Sequence, residues 1–121
     1  MPTKERHITQ YHKNKTLANS KLLKQEQYRD WRIVLIYYSA LHYIDSTYAN
    51  VNFHPHTHNE RKEGFSRFKG YDDIIDDYDN LEMLSRKSRY NCVTLSNQEV
   101  EDAIENLHII EEFVKNKNDE K

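Results

Sequence analysis

The sequence is poor in the residues that make tight turns, with two glycines and two prolines among 121 residues. A sheet of many short strands needs such residues at most of its connections, so this scarcity argues against a β-rich fold. Residues that favour helices, such as Glu, Lys, Leu and Ala, are plentiful instead. The composition therefore predicts an all-α protein.

Three further absences narrow the class of protein. The single cysteine, Cys92, excludes an intramolecular disulfide, and the first residues, MPTKERHIT, lack the apolar run of a secretion signal. The longest apolar run, residues 33–38, is too short to cross a bilayer. No glycine-rich phosphate loop is present, which excludes ATP hydrolysis of the P-loop type. We expect a soluble, cytoplasmic protein with no membrane partner and no cofactor.

The net charge of -2 conceals a division along the chain. The first 70 residues carry 12 basic and 6 acidic side chains, whereas residues 71–121 carry 6 basic and 14 acidic ones. The basic half could form a surface for phosphates, or the two halves could neutralise each other across packed helices or between subunits.

The length fits one domain, residues 1–121, and the apolar periodicity places five helices in it. Their predicted ranges are about 3–24, 28–50, 58–68, 71–92 and 97–115. Capping boxes predict the starts of the third helix (Thr57 with Glu60) and the fifth (Ser96 with Glu99). Asp30 is expected to cap the second helix, and the residues after Lys115 are expected to fray.

The second helix, residues 28–50, is apolar around nearly its whole circumference. Such a helix must be surrounded, either by the other helices of a bundle or partly by a partner chain. The first and third helices have few apolar residues with which to cover it. The sequence therefore predicts a homodimer.

Three stretches of the sequence resemble the HEPN (higher eukaryote and prokaryote nucleotide-binding) domains, in particular the small stand-alone bacterial and archaeal members. They are YYSALHYIDSTYA in the second helix, HTHNER at the start of the third, and YDNLEMLSRKSRYN in the fourth. The resemblance covers about residues 19–114. It implies an all-α bundle, frequent homodimers and, in many members, cleavage of RNA without a metal ion.

In that family the activity resides in an Arg followed, after four to six residues, by a His. The matching arginine here is Arg89, but Thr94, Leu95 and Ser96 stand where the histidine is expected. The motif is therefore broken, which favours a module that does not cleave RNA.

Metal-independent cleavage needs an acid, a base and a cation, and His42, His58 and Arg61 could supply them. Because His58 and Arg61 are three residues apart, they should share one face of the third helix. Alternatively, His42 is a core residue satisfied by one hydrogen bond with Tyr38 or Asp45. Candidate ligands of RNA or phosphate are Arg61, Arg86, Arg89 and Tyr90.

Other residues are weaker candidates for a site. The alternating histidines His54, His56 and His58 could point the same way in an extended loop, but such histidines are usually solvated, and no metal site is predicted. Cys92 lies on the apolar stripe of the fourth helix, so we expect it to be buried.

Two functions are consistent with these observations. The first is a dimeric HEPN module that binds a cognate partner protein, RNA or a nucleotide, in a defence or toxin–antitoxin setting. The alternative is a metal-independent endoribonuclease that uses His42, His58 and Arg61.

Overall fold

The computed structural model describes residues 1–119, and within them it contains five α-helices and no strand. The helices are α1 (Lys4–Ala18), α2 (Arg29–Ala49), α3 (His58–Arg67), α4 (Ile75–Tyr90) and α5 (Asn97–Asp119). Short 3-10 turns at Glu26–Tyr28 and Tyr71–Ile74 precede α2 and α4. The prediction of an all-α bundle is confirmed. No helix in residues 1–119 is long and apolar enough to span a bilayer.

Helix α2 is the centre of the bundle, because α1, α4 and α5 all pack against it. Its residues Ile33, Ala40 and Ile44 are fully buried. One strip of α2 is less covered: Trp31 is exposed, whereas Leu35 and Tyr38 are partly buried. The expectation that other elements surround α2 therefore holds except along this strip.

Helix α3 crosses close to the last turn of α2. The hydroxyl of Tyr48 donates to the carbonyl of Arg61 at 3.0 Å. A Cβ atom at Gly64 would lie 2.5 Å from that same hydroxyl. The close approach therefore requires glycine at this position, and it fixes where α3 presents His58 and Arg61.

Both predicted capping boxes are present. Thr57 and Glu60 bond reciprocally at the start of α3, and so do Ser96 and Glu99 at the start of α5. Asp30 does accept from a free amide of the first turn, that of Trp31 at 2.8 Å, but it is not the N-cap residue: α2 begins at Arg29, and Tyr28 occupies the N-cap position without a side-chain hydrogen bond. The two capping boxes were predictable because each involves residues three positions apart.

Three helix ends differ from the prediction. Helix α1 ends at Ala18 instead of residue 24. Arg32 of α2 donates from Nε to the carbonyl of Ala18 at 2.9 Å, and the chain turns after that residue. Helix α4 ends at Tyr90 instead of residue 92, and it begins at Ile75 instead of residue 71 because the 3-10 turn at Tyr71–Ile74 precedes it.

Helix α5 continues beyond Lys115 to Asp119, where Asn118 accepts from Asn50 and Lys117 donates to the carbonyl of Lys69. The expected fraying at residues 116–119 is thus wrong, and the rest of that prediction, at residues 120–121, lies outside the described residues.

Candidate functional site

A series of polar side chains crosses the bundle from its interior to its surface, and we call it the polar chain. It consists of Asp45 and Tyr37 on α2, His58 and Arg61 on α3, and Tyr78, Glu82 and Arg86 on α4. It contains three of the residues that the sequence predicted for a site, namely His58, Arg61 and Arg86.

The inner end of the polar chain is an ion pair between Arg61 and Asp45. The guanidinium donates from Nε to Oδ1 and from Nη2 to Oδ2, both at 2.8 Å, which is the bidentate geometry that arginine and carboxylate prefer. Both residues are 5 % exposed. Burial alone would lower the pKa of Arg61, but the hydrogen bonds and charge of Asp45 outweigh it and raise this pKa. Arg61 is therefore permanently charged and is directed to Asp45.

Tyr78 connects the ion pair to His58. Its hydroxyl oxygen lies 3.4 Å from Arg61 Nη1, 3.1 Å from the hydroxyl of Tyr37 and 3.0 Å from His58 Nδ1. All these groups are satisfied when Arg61 and Tyr37 donate to Tyr78 and Tyr78 donates to His58 Nδ1. The proton of the neutral imidazole then sits on Nε2.

The outer end of the polar chain is Glu82 with Arg86. Arg86 donates to Glu82 Oε2, and its side chain is 61 % exposed. His58 Nε2 lies 3.9 Å from Glu82 Oε1. Burial lowers the pKa of His58, and the charge of Glu82 offsets this only in part. His58 is therefore mainly neutral at pH 7, and the ionic partner of Glu82 is Arg86.

His42 has a different partner from the one that the sequence indicated. Its Nδ1 lies 3.2 Å from Nδ1 of His7 on α1, so the expected hydrogen bond with Tyr38 or Asp45 is wrong. The two rings border a pocket of about 420 Å³ together with Arg6 and Gln10. His58 and Arg61 both contact Tyr78, whereas His42 contacts His7. The three predicted catalytic residues therefore do not form one hydrogen-bonded group.

The last turn of α4 carries two more of the predicted ligands, Arg89 and Tyr90. Tyr90 is 69 % exposed, and the guanidinium of Arg89 lies 5.2 Å from the centre of its ring. Leu95 lies in the short connection between α4 and α5, and Arg29, the first residue of α2, donates to its carbonyl at 3.2 Å. The start of α2 is therefore at the same end of the bundle as the last turn of α4. Trp31, in that first turn, is 60 % exposed. We call Trp31, Arg86, Arg89 and Tyr90 the aromatic–basic end.

His54 and His58, two of the alternating histidines, have separate environments. His54 contacts Asn52, whereas His58 bonds to Tyr78. No group of three or more potential metal ligands of the His, Cys, Asp or Glu type comes together within residues 1–119.

The prediction of a buried Cys92 is wrong, because this residue follows α4 with a left-handed φ of 50° and is exposed. The left-handed backbone turns the chain out of the helical path, so the apolar periodicity of α4 does not extend to it.

Several residues of the site had no distinct signal in the sequence. Tyr78 and Tyr37 fit the apolar stripes of their helices, and Glu82 is one of many acidic residues in the second half of the chain. His7 belongs to a weakly apolar helix. Each of these residues is buried next to a polar partner from another helix. The apolar periodicity of one sequence contains no information about such pairs.

A model of the HEPN domain family matches residues 14–117 of the 121-residue chain. No curated protein and no solved structure matched the sequence. The matched range contains the whole polar chain and the whole aromatic–basic end.

Proposed function

The chain belongs to the HEPN domain family, and from that premise we propose that it is a homodimeric module that binds single-stranded RNA without cleaving it. The family consists of nucleotide-binding and ribonuclease-like modules. Which of these two activities this chain has depends on which of its side chains are accessible to a ligand and not already paired.

The observation that carries the proposal is the aromatic–basic end. Two large aromatic rings, Trp31 and Tyr90, are mostly exposed at this end of the bundle, which also carries the exposed side chains of Arg86 and Arg89. Proteins that bind single strands without strong sequence preference combine stacking rings with cations along the backbone. The exposed Lys21 and Lys24 precede α2 and add positive charge at this end.

The geometry of Arg61 favours binding over cleavage. To hold a phosphate, its guanidinium would have to leave a bidentate contact with Asp45 in a site that is almost closed to solvent. That exchange would leave a buried carboxylate without its partner, which is costly. The Arg-to-His motif of the family is also broken after Arg89.

The endoribonuclease with His42, His58 and Arg61 remains the second candidate. The observation that favours it is His58 itself, which is partly exposed, mainly neutral and oriented by Tyr78 next to Glu82 and Arg86. A partly exposed imidazole that a hydrogen bond holds in one orientation can take up and release a proton. In this arrangement Arg86 could replace Arg61 as the cation for the phosphate.

The partly exposed strip of α2 supports a homodimer. Leu35 and Tyr38 are three residues apart, so they form one apolar stripe along the helix, and we assign Trp31, one turn earlier and more exposed, to the RNA surface instead. Apolar stripes of this kind are normally covered by a partner. A defence or toxin–antitoxin setting with a cognate partner protein belongs to the same proposal, and a neighbouring nucleotidyltransferase or restriction gene would support it.

RNA binding is tested by fluorescence anisotropy with a labelled single-stranded oligonucleotide. Trp31→Ala and Tyr90→Ala should each weaken binding by about 1 to 3 kcal/mol, the usual contribution of one stacked base. Ile109→Ala, an exposed residue on the acidic helix α5, is the matched control and should bind like the wild type. No binding by the wild-type protein, or equal affinities in all four proteins, would contradict the proposal.

Cleavage is tested with the same oligonucleotide in EDTA, followed on a denaturing gel. The proposal expects intact RNA. Cleavage that resists EDTA and disappears in His58→Ala would establish the second candidate instead.

The dimer is tested by sedimentation at micromolar concentration. The wild-type protein should sediment as a dimer, and Leu35→Glu should be monomeric because a charge would then lie in the apolar stripe. A wild-type monomer would remove the homodimer from the proposal and leave RNA binding to be decided separately.

A further inference from the structure

The contact between His7 and His42 attaches the first half of α1 to α2. The two Nδ1 atoms are 3.2 Å apart and the ring centres 5.4 Å apart. His7 is 8 % exposed, and His42 is partly buried. The function proposed above uses neither His7 nor this contact.

A hydrogen bond between two such nitrogens requires one proton, not two. When both imidazoles are neutral, one Nδ1 donates and the other accepts. When both rings are protonated, both nitrogens are donors and both rings carry charge, so the hydrogen bond is replaced by repulsion.

The charged groups around the pair do not compensate a second proton. Asp45 on α2 favours the charged forms of both rings, but its carboxylate is held by Arg61 on α3, which opposes them. His54 in the loop after α2 also opposes the charge on His7. Glu5 and Arg6 of α1 line the adjacent pocket and carry opposite charges. Burial and these charges together lower the pKa of both histidines.

We propose that the His7–His42 contact is an acid-sensitive latch, which holds residues 4–10 of α1 against α2 and releases them when the pair takes up protons. The release is local because the second half of α1 is attached differently. Tyr11 donates to Glu111 on α5 and stacks on Tyr43, with ring centres 3.9 Å apart. Lys15 forms an ion pair with the same Glu111. None of these interactions requires a neutral histidine.

Hydrogen exchange of the full chain between pH 7.5 and 5 tests the proposal, with protection factors corrected for the intrinsic rate at each pH. Amides 7–10 should lose protection below pH 6.5, by up to about tenfold per pH unit for each proton that is linked to opening. Amides 14–18 of α1 and the core amides of α5 should keep theirs over the same range.

Two variants and one control identify the groups involved. His7→Gln and His42→Gln each leave a single titrating ring, so the pH dependence at amides 7–10 should become shallower. His12→Gln, an exposed histidine on the same helix, should behave like the wild type.

Three results would overturn the proposal. The first is protection at amides 7–10 that does not change with pH. The second is a uniform loss throughout the bundle, which would indicate global acid unfolding. The third is an acid-dependent loss that both variants retain.

Discussion

Arg61 and Arg89 are the same residue type in two different environments. Arg61 lies inside the polar chain, where Asp45 satisfies its guanidinium, and it is almost completely buried. Arg89 lies on the last turn of α4 against the ring of Tyr90, and no carboxylate within residues 1–119 forms an ion pair with it. An arginine whose ionic partner is internal is needed to compensate that buried charge, whereas one without such a partner is available to a ligand.

The largest effect should come from breaking the internal pair. Arg61→Met removes the cation and leaves Asp45 buried and unpaired, so the free energy of unfolding should fall by about 3 to 5 kcal/mol. Urea denaturation measures it. Arg89→Met should change the stability by less than about 0.5 kcal/mol, as expected for a surface substitution.

The double variant Asp45→Leu/Arg61→Met distinguishes pairing from packing. If the cost arises from an uncompensated charge, the double variant should be more stable than Arg61→Met alone. A single variant as stable as the wild type would mean that Arg61 does not hold the fold together and is free for another role.

The next effect should come from the hydroxyl of Tyr78, which Arg61, Tyr37 and His58 share. Tyr78→Phe leaves these groups without that partner in a fully buried position, which should cost about 1 to 3 kcal/mol in urea denaturation. Tyr90→Phe, on an exposed ring, is the matched control and should cost almost nothing. Equal stabilities of the two variants would show that the polar chain is not a structural network.

These two predictions also mark what the sequence could and could not reveal. The five helices and both capping boxes followed from patterns within a few residues, such as Thr57 with Glu60. The end of α1 did not follow from such a pattern, because it depends on a hydrogen bond from Arg32, a residue of another helix, to the carbonyl of Ala18. Patterns within a few residues predict the starts that have a capping box, whereas an end that depends on a side chain from another helix leaves no such pattern.

The candidate site was predictable only in part. His58 and Arg61 were placed on one face of α3 from their spacing, and both do contact Tyr78. Arg61 was predicted to be a phosphate ligand because nothing in the sequence indicated that Asp45, sixteen residues earlier, would be its ionic partner. His42 was paired with neighbours on its own helix, whereas its partner is on α1. Pairing between helices is a property of the packed state.

The salt dependence of RNA binding tests whether the exposed Arg89 contacts a phosphate, in contrast to the buried Arg61. If Arg89 contacts a phosphate, Arg89→Gln should reduce the slope of log K against log salt concentration by about 0.7, the value for one contact with a single strand. Lys115→Gln, on the exposed surface of α5, is the control with the same loss of charge and should leave the slope unchanged. Identical slopes for all three proteins would place the phosphate away from Arg89.

The smallest effect concerns His58, which lies between the buried and exposed parts of the polar chain. Burial lowers its pKa and Glu82 partly offsets this, so Glu82→Gln should lower the pKa further. A lowered pKa in the folded state means that the stability due to neutral His58 is complete above about pH 6.5, the unfolded value, and is lost as the pH falls through the folded pKa. In Glu82→Gln, the loss of stability with falling pH should therefore continue to a lower pH than in the wild type. The imidazole proton signal of His58, identified by its absence in His58→Gln, reports the pKa in an NMR titration. A pKa that stays the same or rises in Glu82→Gln would show that Glu82 acts on Arg86 alone, and the polar chain would then end at His58.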